Sequence, residues 1–143
     1  MLAATLYLRT QIMGDWNIGF WDVFGDTETC CLVTCCTPCA MGQMMDMFEK
    51  NTAESSGAGD TNVCGTYCCY LMIPYCGGCI AANYAAGIRK KIREKYNLKE
   101  DPCNDCMAHF CCGCCATIQE IREVKSRNGK GQSGAPESAQ MAR

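Results

Sequence analysis

The chain has 143 residues, 48% hydrophobic and 20% charged, with a net charge of −2 and sixteen cysteines. That length supports one domain and leaves no room for a Rossmann or barrel enzyme, and the near-neutral charge argues against a general nucleic-acid binder. Cysteine is about 11% of the chain, above the roughly 8–10% at which it stops being ordinary composition, so cysteine chemistry, a membrane or both must supplement a modest aliphatic core.

In chain order, residues 1–14 read as an N-terminal arm. Met1 to Ile12 (MLAATLYLRTQI) has no basic start, Arg9 interrupts its apolar stretch and no small-residue cleavage site follows, so it does not read as a secretory signal. The expected compartment is therefore reducing, and disulfides are not the first reading of the cysteines. Residues 15–125 read as the cysteine-rich domain. In its first block, Gly14, Gly19 and Gly25 with Asp15, Asp22 and Asp26 punctuate an aromatic stretch containing Trp16, Phe20, Trp21 and Phe24. An uncharged run follows from Thr29 to Met45, in which Pro38 breaks or starts a helix, and Met41 to Phe48 is helix-compatible.

Residues 50–62 are polar and Gly/Ser-rich and read as an internal loop. The next 28 residues, 61–88, carry no charge. A helix of about 20 residues spans a bilayer, so length permits a crossing, although Pro74, Gly77, Gly78 and Asn83 sit inside the run. The basic cluster Arg89 to Lys95 then suits anionic lipid headgroups and places residues 89–143 in the cytosol by the positive-inside rule. The competing reading is a soluble amphipathic helix over Ala81–Tyr96, with Ala81, Ala85, Ile88, Ile92 and Tyr96 on one stripe. The third block, 102–125, holds the densest cysteine cluster and the single histidine. It ends in a helical pattern with Ile118, Ile121 and Val124 on one side. Residues 126–143 read as a disordered polar tail. Charge divides unevenly: residues 1–60 hold two basic and eight acidic side chains, residues 61–143 eleven basic and seven acidic.

Five pairs of cysteines are adjacent in sequence and hard to bridge to one another, which leaves metal thiolates, S-acylation sites or small apolar fillers. Cys36/Cys39, Cys76/Cys79, Cys103/Cys106 and Cys112/Cys115, with the overlapping Cys111/Cys114, have CxxC spacing. Two such thiolates can grip one tetrahedral ion from a tight turn. His109 continues the three-residue rhythm of Cys103 and Cys106 and adds a nitrogen donor suited to zinc. The candidate metal ligands are Cys36, Cys39, Cys103, Cys106, His109, Cys112 and Cys115. Zinc is the expected ion, and cadmium or Cu(I) is also acceptable to soft thiolates. A Cys–His nucleophile around His109 lacks an orienting partner, and no GxSxG, HExxH, GxxxxGK[ST] or GxGxxG motif occurs, so no enzyme activity is expected.

The order Trp16, Gly19, Asp22, then Cys35-Cys36-Thr37-Pro38-Cys39 with Gln43, resembles the placenta-specific-gene-8 family, which includes onzin, cornifelin, plant cadmium-resistance proteins and cell-number regulators. Arg89 to Leu98, Pro102-Cys103-Asn104-Asp105-Cys106, His109, Cys111-Cys112 and Gln119 to Lys125 resemble the closing signature of the plant-type members. The chain departs from that pattern at Thr27, Gly42 and Ile118, where the family usually has cysteines. The resemblance implies a small membrane-associated protein with two apolar segments, here 29–45 and 63–88. In plant members it implies roles in zinc or cadmium export, tolerance and organ size.

The expectation is thus a mostly α, small cysteine-rich single domain with irregular loops, open to stabilisation by zinc and with one or two membrane-associated apolar segments. Its expected role is to bind or help export soft divalent metal ions at a membrane, the plasma membrane first among them, with a bearing on growth or stress tolerance. Lipid, divalent ions and further copies of the chain are the expected partners, and nucleic acid is not. The alternatives are a soluble zinc-stabilised interaction module with no transport role, and a disulfide-bonded surface protein exported without a visible signal.

Overall fold

In a computed structural model, residues 13–55, 57 and 59–133 are described, with side chains to residue 129. The sequence reading of the arm 1–12 and of residues 134–143 lies outside them. Five helices follow one another: α1 Thr27–Cys35, α2 Thr37–Lys50, α3 Thr61–Leu71, α4 Gly77–Tyr96 and α5 Asp105–Ser133. The mostly helical expectation holds, and local chemistry sets each boundary. Asp26 caps α1 by accepting from the Thr29 amide at 3.1 Å, and Asp60 caps α3 by accepting from the Asn62 amide at 2.8 Å. Pro38 starts a helix, sitting in the first turn of α2 where its missing N–H costs nothing. Asn51 and Asn97, both left-handed at φ 55, close α2 and α4. α5 contains one non-helical residue, Cys112 (φ −149, ψ 81), at which the chain reverses.

The core is built from the stripes that periodicity marks. Met41, Met44, Met45 and Met47 of α2 pack with Ala81, Ala85, Ile88 and Ile92 of α4 and with Ile118, Ile121 and Val124 of α5. Burying each of the larger side chains stabilises the fold by about 1.5–3 kcal/mol. Helix directions follow from cross-helix pairs. Thr117 touches the Met41 sulphur, Glu120 meets Arg89, and Asn128 bonds both Met47 and Tyr96. So α2, α4 and the second half of α5 run parallel. α1 runs against them, with Lys125 bonded to Thr29 at its start, and α3 pairs antiparallel with α4 through Tyr70 and Tyr84.

Three expectations change. The uncharged run 61–88 forms no single span: it breaks between α3 and α4, where Pro74 and a left-handed Tyr75 (φ 69) turn the chain. Among the described residues no helix is long and apolar enough to cross a membrane, so the positive-inside argument has no span there to orient. The basic cluster is also divided, because Arg89 and Arg93 are buried while Lys90, Lys91 and Lys95 are exposed. Finally, α5 continues beyond Lys125. Asn128 is buried and donates to the Met47 and Thr52 carbonyls at 2.9 and 2.8 Å, so residues 126–133 belong to the fold.

Candidate functional site

The parallel course of α2, α4 and the second half of α5 brings their three N-termini to one end of the bundle. A cysteine stands at each start: Cys36 before α2, Cys76 before α4, and Cys112 before the second half of α5. Each opens a CxxC pair. The backbone of Cys36 (φ −148, ψ 77) matches that of Cys112 (φ −149, ψ 81). The α1–α2 junction and the α3–α4 turn lie at this same end. It is also the end where the three uncharged stretches, residues 29–45, 61–88 and 106–119, converge. Eight free cysteines are exposed: Cys31, Cys35, Cys68, Cys69, Cys76, Cys79, Cys111 and Cys114. The α3–α4 turn adds exposed Leu71, Met72 and Ile73 with a fully exposed Tyr75, and Met107 and Phe110 are exposed on the first half of α5.

The expected ligands do not share one site. Cys36–Cys39 and Cys112–Cys115 are disulfides, with Cα atoms 5.4 and 5.3 Å apart. Cys103 packs against the small cluster of Phe20, Ala108 and Ala116, and the Cys106 thiol bonds the Asn83 side chain at 3.5 Å. His109 is buried, its Nε2 2.8 Å from Glu120 Oε1. Among the described residues no group of three or more His, Cys, Asp or Glu side chains gathers as a metal ion would need.

A second constellation lies within the bundle, and the sequence reading missed it. Arg89 donates to Glu120 Oε1 at 3.0 Å, to Gln119 Oε1 at 2.7 Å and to the Asp101 carbonyl at 2.7 Å, with Trp16 over its guanidinium at 4.2 Å. Arg93 holds Asp105 through Nη2 at 2.6 Å and Nε at 2.8 Å. The Asp105 hydrogen bonds keep the Arg93 guanidinium above its ordinary pKa against the opposing pull of burial. Burial pushes the Tyr67 phenol up, with Cys114 and Glu120 adding to it. Among the described residues, buried Arg89 Nε, His109 Nδ1 and Glu120 Oε2 find no hydrogen-bond partner, though Arg89 Nε lies 3.5 Å from Asp105 Oδ1. A signal for this network was present: on α4, Arg89 and Arg93 follow Ala85 at four-residue steps and so share its buried face.

Helix α5 also clasps the N-terminal segment. Gln119 donates to the Ile18 carbonyl at 2.9 Å, Glu123 accepts from the Asn17 and Ile18 amides at 2.8 and 3.0 Å, and Arg122 pairs with Asp22 at 3.1 Å. Residues 119–125 therefore hold residues 16–26 in place. Burial alone would raise the Asp26 carboxyl, but the Thr29 hydroxyl and amide, with Lys125 nearby, hold it below its ordinary value.

A helical, cysteine-rich domain fastened by a buried ion-pair cluster, with a cysteine pair at each of three helix starts at one end, is the class of protein that these features define. The PLAC8 family profile matches residues 16–123, and the chain belongs to that family. It is 34% identical over 126 residues to Protein PLANT CADMIUM RESISTANCE 1 of Arabidopsis thaliana, covering 88% of this chain and 78% of the relative. It is 34% identical to PLANT CADMIUM RESISTANCE 2 of the same plant, over 89% and 78%, and 36% identical to Cell number regulator 5 of Zea mays, over 85% and 69%. No solved structure matches.

Proposed function

We propose that this chain captures thiophilic divalent cations, zinc or cadmium, at a membrane surface through its cysteine-bearing end. The observation that carries the reading is the convergence of the CxxC-bearing starts of α2, α4 and the second half of α5 on one end of the bundle, with exposed free thiols on the elements that meet there. Soft thiolates select such ions, and the names of two cadmium-resistance relatives fit that choice. Because no three-ligand group is preformed among the described residues, capture here means pairs of thiolates with open positions left on the ion. That suits an ion that is handed on rather than one that staples the fold. The exposed Leu71–Tyr75 turn, with Met107 and Phe110, is the lipid-facing part, lying in the interface rather than crossing it. Lys90 lies about 20 Å along α4 from Gly77, at 1.5 Å per residue, too far to share that contact. Export would take several copies in this reading, since one copy offers no crossing helix among its described residues.

Titration of the purified chain with cadmium, followed by thiolate-to-metal charge-transfer absorption, tests capture. Saturable absorption at stoichiometric metal supports it, and none after full reduction sinks it. Flotation with anionic and neutral vesicles tests the surface. Binding lost in Met72→Ser/Tyr75→Ser supports it, and a chain that never floats removes the membrane from the reading.

A further inference from the structure

We infer that Cys76 and Cys79 form the metal-capturing pair of the oxidised protein, and that Cys36–Cys39 and Cys112–Cys115 are a reserve opened by reduction. This rests on the capture reading and assigns its residues and its control.

The three pairs are alike in place: each begins a helix, each has CxxC spacing, and all three helices start at one end of the bundle. They differ in state. Two are disulfides, whose sulphurs have no thiolate to offer a cation, while Cys76 and Cys79 are free and exposed. Residues three apart on one helical turn are neighbours, and Cys79 follows Cys76 by that interval at the start of α4. Cys111 and Cys114, also free and three apart, do not share a turn, because the non-helical Cys112 lies between them. Cys68 and Cys69 are adjacent on α3 and point about 100° apart. Cys103 and Cys106, the remaining free CxxC pair, are half-buried with Cys106 bonded to Asn83, so Cys76/Cys79 is the exposed, unbridged CxxC pair at a helix start.

The reserve opens by thiol–disulfide exchange. A low-molecular-weight dithiol attacks one sulphur of Cys36–Cys39 or Cys112–Cys115, and its second thiol resolves the mixed disulfide. The protein pair gains two electrons and two protons, and the reductant leaves as its own disulfide. Each opened pair then gives up its two thiol protons when it takes a divalent ion. Full reduction raises the number of chelating CxxC pairs at this end from one to three.

The test uses the full chain, cadmium, and two preparations. One is purified without reductant and the other is reduced by a dithiol, desalted under inert gas and counted for thiols. Charge-transfer absorption and bound cadmium after gel filtration are read in each. The unreduced chain should bind tightly at one pair, Cys76→Ser/Cys79→Ser should lose that binding, and Cys111→Ser/Cys114→Ser should keep it. After reduction the thiol count should rise from twelve to sixteen, cadmium capacity should rise about threefold, and the Cys76→Ser/Cys79→Ser variant should recover about two-thirds of it. Far-ultraviolet circular dichroism checks that the serine variants, changed only at exposed positions, retain their helices. Unchanged binding by unreduced Cys76→Ser/Cys79→Ser overturns the assignment. Equal capacity before and after a verified rise in thiols overturns the reserve. If neither preparation binds, the capture reading itself falls and this inference falls with it.

Discussion

Arg89 and Glu120, 31 residues apart and both wholly removed from solvent, face each other at 3.0 Å in the middle of the bundle. The pair welds α4 to α5, and His109, Gln119 and Trp16 complete its surroundings. Two buried charges are costly to desolvate, and their attraction repays this only with good geometry and further hydrogen bonds. Removing Glu120 leaves Arg89 with no carboxylate nearer than Asp105, 3.5 Å from its Nε. We expect Glu120→Leu to destabilise the chain by about 3–5 kcal/mol in urea unfolding. Adding Arg89→Met should recover a substantial part of that loss. A double variant no more stable than the single would show that the charge pair is not the cause.

Asp26 gives the acid limb of stability its sign. Its carboxyl is held below the ordinary value of 3.8 in the folded protein. The stability it contributes is therefore present above 3.8 and is lost as pH falls through the lower folded value. Asp26→Asn keeps a capping side chain but removes the charge, so the fall in stability below about pH 4 should become shallower. Asp26→Ala should in addition lose about 1 kcal/mol at neutral pH through the missing cap. Equilibrium unfolding between pH 2 and 7 reads both, and an unchanged acid slope in Asp26→Asn would contradict the assignment.

The cysteines should separate into three kinetic classes under maleimide. The eight exposed thiols should react first, and half-buried Cys30, Cys64, Cys103 and Cys106 more slowly. Cys36, Cys39, Cys112 and Cys115 should react only after reduction. Because each bridge closes a loop of a few residues, opening one should cost no more than about 2 kcal/mol by the chain-entropy relation. Timed alkylation with peptide mass mapping checks the classes. Fast modification of Cys36 or Cys112 without reductant would contradict the pairing.

Gly59 is the tightest point of the loop between α2 and α3. Its φ is +75, and a Cβ there would run into the backbone of Gly42 and Gln43. The adjacent Asp60 amide donates to the Gly42 carbonyl at 2.8 Å. Gly59→Ala should therefore destabilise by more than 1 kcal/mol and open the loop to protease, whereas Gly57→Ala, which meets no neighbouring atom, should be milder. Thermal unfolding and limited proteolysis distinguish the two.

The helices and their buried stripes were legible in the sequence because periodicity reports burial directly. Ala81, Ala85, Ile88 and Ile92 on α4, and Ile118, Ile121 and Val124 on α5, are core as spaced. The fate of the charges was legible only in part. Arg89 and Arg93 fall on the Ala85 face of α4 while Lys90 and Lys91 do not, but the position of α5 decides which carboxylates they meet. His109 read as a ligand because its cysteine neighbours are three residues away, yet the reversal at Cys112 turns it toward Glu120. The break at Tyr75 was signalled by Pro74 and the glycines after it, against the pull of an uncharged run long enough to span. Which CxxC pairs are bridged is a tertiary and redox outcome that spacing alone does not encode.

The reversal at Cys112 also makes the stretch between His109 and Glu120 a fixed spacer. In one straight helix those side chains would stand about 16 Å apart along the axis, at 1.5 Å per residue. Folded back, they touch. Inserting one residue between Cys115 and Glu120 would rotate everything upstream by about 100° relative to Glu120, carrying His109 and the Cys112–Cys115 bridge off their partners. In the loop between α2 and α3, Thr52 is held by Asn128 and Gly59 and Asp60 are docked on α2, and no such phase links those two points. Length variation is thus cheap in that loop and costly at the bend, so the bend sets the gauge to which the rest of the domain is built.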